Sequence, residues 1–172
     1  MCPAFLGVVL FLFTAANAAD LCSQHCPDGW IRFHDSCYLF GYHQSLSFIE
    51  AEHFCRQHHE GHLVHVDSSL ENAFLIDNLE KTGVYSSWIG FTDMDLEGQW
   101  HWYDNDGSAT FTYWYANQPE HDKSKAANED CAVIIDWDHD KAYRWQDYPC
   151  DDHFKPICEK RDCQDEGGSI VG

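Results

Sequence analysis

Trp88-Ile89-Gly90-Phe91 is a short apolar run between the polar pairs Ser86-Ser87 and Thr92-Asp93, and it reads as a buried strand. Beyond it, from 92 to 128, regular spacing disappears, and Gly98, Gly107 and Pro119 punctuate a mixture of polar and aromatic residues. A stretch that long without period is either functional or disordered. Its aromatics, Trp100, Trp102, Tyr103, Trp114 and Tyr115, argue that it is packed.

On the N-terminal side, Ser68 and Glu71 have the spacing of a capping box and open a helix that ends near Gly83. Leu70, Ala73, Phe74 and Leu79 are expected to face inward. Residues 63–66 read as a strand. Ser45 or Ser47 can cap an earlier helix that runs to about His59, with Phe48, Ala51, Phe54 and Cys55 on one face and Gly61 as its stop. Residues 30–33 and 36–40 are aromatic-rich runs split by His34-Asp35, a hairpin signal. On the C-terminal side, 131–135 is a strand, 136–141 a polar turn, and 143–147 and 155–159 complete the sheet. Two early helices, a long loop region and short strands on both sides make an α+β domain.

The chain has 172 residues, one domain's length with room for a leader. Hydrophobic residues are 44% and aromatics 15%, which is enough for a core and excludes a disordered chain. Lys and Arg number 10 against 29 Asp and Glu, for a net charge of -19. Nucleic acids and anionic membrane surfaces would be repelled, and calcium is the natural counterion. Residues 5–13, FLGVVLFLF, form an apolar run too short for a bilayer, which needs about 20 residues. With Ala16-Asn17-Ala18 behind it, 1–18 is expected to be a signal peptide and the mature protein secreted and extracellular, without membrane insertion. Residues 19–25 then form an N-terminal arm and 161–172 a polar tail. There is no Asn-x-Ser/Thr sequon.

Nine cysteines are present, and Cys2 leaves with the leader. An even number in a secreted chain reads as a disulfide framework, but eight allow roughly a hundred pairings. No Cys-x-x-Cys pair supports a zinc ribbon.

From Cys26 to Lys160 the chain resembles the C-type lectin-like domain of the long form, in its perlucin-like or galactose-type branch. The resemblance rests on six pieces in order: Trp88-Ile89-Gly90-Phe91, Glu97-Gly98-Gln99-Trp100, Gln118-Pro119-Glu120, Glu129-Asp130-Cys131, Trp145-Gln146-Asp147 and Pro156-Ile157-Cys158. It implies two helices packed on short antiparallel sheets, a long irregular loop region and disulfide staples. It also implies the pairs Cys26–Cys37, Cys55–Cys158 and Cys131–Cys150. Cys22 and Cys163 are left open between an intrachain bond and a disulfide-linked dimer.

The resemblance further implies a sugar- and calcium-binding set at Gln118, Glu120, Glu129, Gln146 and Asp147. Calcium takes six to eight oxygens, and this set supplies three carboxylates and two amides. Where the family carries Glu-Pro-Asn or Gln-Pro-Asp this chain has Gln118-Pro119-Glu120, and where it carries Asn-Asp this chain has Gln146-Asp147. Glu120 and Gln146 are each longer by one methylene, about 1.5 Å. In this family the order amide, proline, carboxylate accompanies galactose-type or N-acetylhexosamine binding. Trp137, Tyr143 and His121 are candidates for the aromatic wall behind a sugar ring. An auxiliary metal site would use Asp93, Glu97, Glu129 and Asp130, with His121 and Asp122 close by in sequence.

His58-His59-Glu60-Gly61-His62 lacks the His-Glu-x-x-His spacing that puts two imidazoles on one helix face, so it reads as a surface or packed cluster. No nucleophile-elbow, phosphate-loop or dinucleotide motif is present. The expected function is a non-enzymatic lectin that binds glycans or glycoproteins in innate recognition or agglutination. The competing reading is a protein- or mineral-binding matrix component on the same fold, which the acidity favours.

Overall fold

The computed structural model describes residues 26–104, 109–119 and 129–161. The expected signal peptide, the arm, the C-terminal tail, Cys22, Cys163, Glu120, His121 and Asp122 lie outside them. A hairpin of β1 (Ile31–Phe33) and β2 (Ser36–Phe40) precedes α1 (Phe48–Gln57). Next come β3 (His62–Leu63), α2 (Ser69–Thr82), β4 (Ser86–Thr92) and β5 (His101–Trp102). The chain closes with β6 (Cys131–Ile135), β7 (Arg144–Tyr148) and β8 (Lys155–Arg161). The strands run in the order β1-β2-β8-β4-β6-β7, with β3 on β8 and β5 on β4. Every pairing is antiparallel except β4 with β8, which is parallel through Ser87–Lys155 and Trp88–Pro156.

The central strands are apolar along their length because both faces are covered. Ile89 and Phe91 of β4, and Ala132 and Ile134 of β6, pack with Leu75 and Leu79 of α2. The alternate residues, Trp88, Cys131 and Val133, pack with Phe48, Ala51 and Cys55 of α1. Side chains alternate between faces along a strand, so one apolar run feeds two core layers. Two of the buried indoles find acceptors: Trp88 Nε1 donates to the Leu46 carbonyl at 2.8 Å and Trp145 Nε1 to Asn72 Oδ1 at 2.9 Å.

Ser47 is the cap of α1, and Glu50 accepts from both its N–H (3.0 Å) and its hydroxyl (2.9 Å). The Ser68–Glu71 box is only half formed. Ser68 Oγ accepts from Glu71 N at 3.2 Å, but the Glu71 carboxylate turns to Asp67 N (2.8 Å) and the Tyr38 hydroxyl (2.7 Å). The inward face of α2 is correspondingly shifted. Leu70 is 59% exposed and Ala73 is exposed, whereas Glu71, Asn72, Leu75 and Leu79 are buried. The helix buries two polar residues because each has a buried partner, which an apolar count cannot anticipate. The strand expected over 63–66 is shorter. After Leu63 the chain leaves the ladder, with Val64 N bonding Ile157 O and Gly90 N bonding Val64 O, both at 2.9 Å.

Among the described residues, three disulfides staple the domain: Cys26–Cys37, Cys55–Cys158 and Cys131–Cys150. The second ties α1 to the last strand, and the third fastens the end of β7 to the start of β6.

Candidate functional site at the long loop

The segment before the Gln118–Pro119 bond, which is cis, is strapped to β7. Trp145 N donates to Tyr113 O at 2.8 Å, and Tyr115 N donates to Trp145 O at 2.7 Å. This pair of hydrogen bonds places Gln118 beside Gln146, the residue after Trp145. Gln118 and Gln146 line one cleft of about 440 Å³ together with Tyr115, Asn117 and Trp137. Trp137 is 62% exposed, so its indole is open to a ligand. Tyr143 is not a wall: it is buried, and its hydroxyl donates to Val84 O at 2.7 Å. Local strand period explains this, since Tyr143, the residue just before β7, falls on the same inner face as Trp145.

Asp147 pairs in register with Ala132 of β6 and is buried, and it does not line the cleft. Glu129 stands two residues before β6. Both are close enough to Tyr148 to act on its phenol. Burial first, then the charges of Asp152, Glu129 and Asp147, push that phenol up to about 12. The structure thus brings Gln118 and Gln146 to one cleft and Glu129 and Asp147 to the neighbouring end of β6 and β7. Glu120 lies outside the described residues.

Asp93, Glu97 and Asp130 form a second acidic group. Asp93 follows β4 and is buried. Its N–H donates to Asp130 O at 3.1 Å, and its Oδ2 accepts from Gly98 N at 2.7 Å. Burial raises the Asp93 carboxyl to about 6; the Gly98 N–H pulls it down, while Glu97 and Asp130 push it up further. Asp130 is also raised, by burial and by Glu97. Such mutual repulsion is what a dication would relieve.

The donor set fits calcium on a further observation. Asp93 Oδ1 and Gln118 Oε1 are buried and receive no hydrogen bond from the described residues. A buried acceptor without a donor costs about 1–3 kcal/mol, and a hard cation satisfies it. Gln118, Gln146, Glu129 and Asp147 could hold one ion, whereas no three of Asp93, Glu97, Glu129 and Asp130 bring ligand atoms within 4.8 Å of one another, so a second ion would have to draw them together.

Two clusters were not legible as sites in the sequence. One is the aromatic floor of a cleft of about 660 Å³, formed by Phe91, Trp100 and Trp114. The other joins His62, His65 and Asp104, whose ligand atoms lie within 4.8 Å of one another. His62 ends the histidine-rich stretch and His65 follows three residues on, but Asp104 comes from the distant turn after β5, so spacing alone carries no signal for its joining them.

Known proteins supply the comparison. The family description "Lectin C-type domain" matches residues 44–160. The chain is 30% identical over 156 residues to the perlucin-like protein of Mytilus galloprovincialis, covering 88% of this chain and 94% of that one. It is 33% identical over 139 residues to the human asialoglycoprotein receptor 2, covering 79% of this chain but only 41% of the receptor. The mouse scavenger receptor C-type lectin carbohydrate-recognition domain superimposes with a TM-score of 0.68 at 33% identity, over 80% of this chain and 98% of that domain. The scavenger-receptor domain is described as a carbohydrate-recognition domain, and the family commonly uses calcium and is generally non-enzymatic. The matched span, the two-helix fold, the three disulfides and these likenesses agree: the chain belongs to the C-type lectin domain family.

Proposed function

We propose that this chain is a secreted lectin that binds terminal galactose-type or N-acetylhexosamine sugars at the long loop, assisted by calcium. The observation that carries the reading is the shared cleft: two amides, Gln118 and Gln146, open onto about 440 Å³ beside the exposed indole of Trp137. Amides can both donate to and accept from sugar hydroxyls, and an indole covers the apolar face of a ring. Calcium, when bound, would supply positive charge to sugar hydroxyl oxygens. Glu129 and Asp147, with Glu120, would offset that charge, and Gln118 and Gln146 would orient the hydroxyls. Asp93, Glu97 and Asp130 would hold a second ion that braces the loop. The leader at 1–18 supports secretion, and the proposed role is innate recognition of glycans or glycoproteins. Cys22 and Cys163 would join two such chains, raising weak single-site affinity through avidity.

The test is a glycan array with the mature protein, run in calcium and again after EDTA. Galactose-type binding that vanishes with EDTA is the expected result. Binding that survives EDTA removes calcium from the reading and leaves direct hydrogen bonds from the same cleft. Absence of any glycan signal turns the assignment toward a protein- or mineral-binding matrix component. A non-reducing gel tests the dimer.

A further inference from the structure

We propose that His62, His65 and Asp104 form a site for a divalent transition metal, zinc above all, separate from the calcium-type residues of the long loop. The three come from the start of β3, the irregular segment after it and the turn after β5. Their ligand atoms all lie within 4.8 Å of one another, the one such group of His, Cys, Asp or Glu among the described residues. Zinc binds imidazole nitrogen and carboxylate oxygen at about 2.0–2.2 Å in a tetrahedron, so two His and one Asp leave a fourth position for water. Two imidazoles in the set argue against calcium, which takes oxygen ligands.

The surroundings support metal binding at each ligand. His65 is held flat against Trp102, with ring centroids 4.9 Å apart and planes at 21°, and its Nε2 is 2.6 Å from Asp104 Oδ1. A metal at this point replaces a shared proton. Asp104 Oδ2 is meanwhile held by Arg56 Nη2 at 3.3 Å, which leaves Oδ1 as the single ligand oxygen. Arg56 is anchored in turn by Glu52 at 2.6 Å. His62 Nδ1 lies 3.8 Å from Asp104 Oδ2 and 2.9 Å from the Leu63 carbonyl, so a metal held through this nitrogen takes the place of its bond to Leu63. A ligand oriented by an outer hydrogen bond, as Asp104 is by Arg56, is typical of built metal sites. Side-chain exposures of 16% for His62 and 18% for Asp104 leave an entry path. A bound ion would clamp the start of β3 to the turn after β5, and through Arg56 to α1.

The experiment is calorimetric titration of the full mature protein with Zn²⁺ in millimolar calcium, which occupies the oxygen-rich sites, together with Co²⁺ absorption spectra. The expected result is one equivalent of Zn²⁺ bound and the visible bands of a tetrahedral Co²⁺ complex. His62→Gln and His65→Gln should each weaken binding by roughly 10- to 100-fold, while the exposed-surface control His153→Gln leaves it unchanged. His62 is partly exposed, so His62→Gln should stay folded and decides the matter if His65→Gln does not. No stoichiometric binding, binding retained in His62→Gln, or equal loss in His153→Gln would each overturn the site.

Discussion

At the scale of single residues, the most consequential groups are those buried with an ionisable proton. Glu71 is buried among Tyr38 of β2, Glu159 of β8 and Asp67 of the preceding loop, which is itself paired with Arg161 at 3.2 Å. Burial, reinforced by Glu159 and Asp67, raises its carboxyl to about 7, against the lowering effect of the Tyr38 hydroxyl and the Asp67 N–H. The folded state therefore holds this proton over a range where the unfolded chain has lost it. Stability from this group is fullest at low pH and falls as pH rises from about 4.5 to about 7, by up to roughly 3 kcal/mol. Denaturant unfolding across that range should show the decline, and Glu71→Gln should flatten it; equal slopes in both proteins would refute the assignment. Trp137 is the second residue of interest. Trp137→Ala should weaken sugar binding about tenfold, or about 1.4 kcal/mol, with calcium affinity unchanged. Loss of both together would mean that the side chain supports the loop and does not face the sugar.

At the scale of elements, two glycines set limits that the surrounding apolar pattern does not. Gly83 closes α2 in the left-handed region, at φ 68°, with nothing near the place a Cβ would occupy. Gly83→Ala should therefore cost only the backbone term, about 1 kcal/mol, and Gly83→Asn less. Gly90 of β4 is different: a Cβ there would sit 2.7 Å from the Leu63 carbonyl oxygen, a backbone atom that cannot swing away. Gly90→Ala should push β4 from the Leu63–Val64 segment and cost about 1–3 kcal/mol. Thermal melts of the two variants should rank Gly90→Ala as the more damaging. The opposite order would mean that β4 and this segment separate easily. The start of α2 was readable as Ser68 plus Glu71 and that of α1 only as Ser45 or Ser47, yet it is α1 that closes its cap with a Glu. In α2 the same residue type is drawn into the core by Tyr38, a partner 33 positions away.

At the scale of the whole molecule, the disulfides differ in how much chain they close. Cys55–Cys158 spans 103 positions and Cys26–Cys37 spans 11. Loop-closure entropy then assigns about 4.7 kcal/mol to the first and about 3 kcal/mol to the second. Replacing Cys55 and Cys158 together with Ala should lower the melting temperature more than replacing Cys26 and Cys37. An equal fall would show that packing around the sulfurs outweighs chain entropy.

The sequence by itself determined the class of the fold and the position of nearly every element. Helix and strand periods, caps and breakers are properties of neighbours in the chain, so Trp88-Ile89-Gly90-Phe91 and the Phe48–Cys55 face were legible at once. The cysteine pairing was legible only through the family resemblance, because spacing leaves it open. Tertiary structure alone decided which polar residues meet. The straps through Trp145 set Gln118 beside Gln146, and the pairing of β4 with β5 swings Asp104 onto His65. It also buried Tyr143 and Glu71 and left Trp137 outside. These outcomes depend on strand register and on loops without period, where contacting residues are far apart in sequence and no local pattern encodes their meeting.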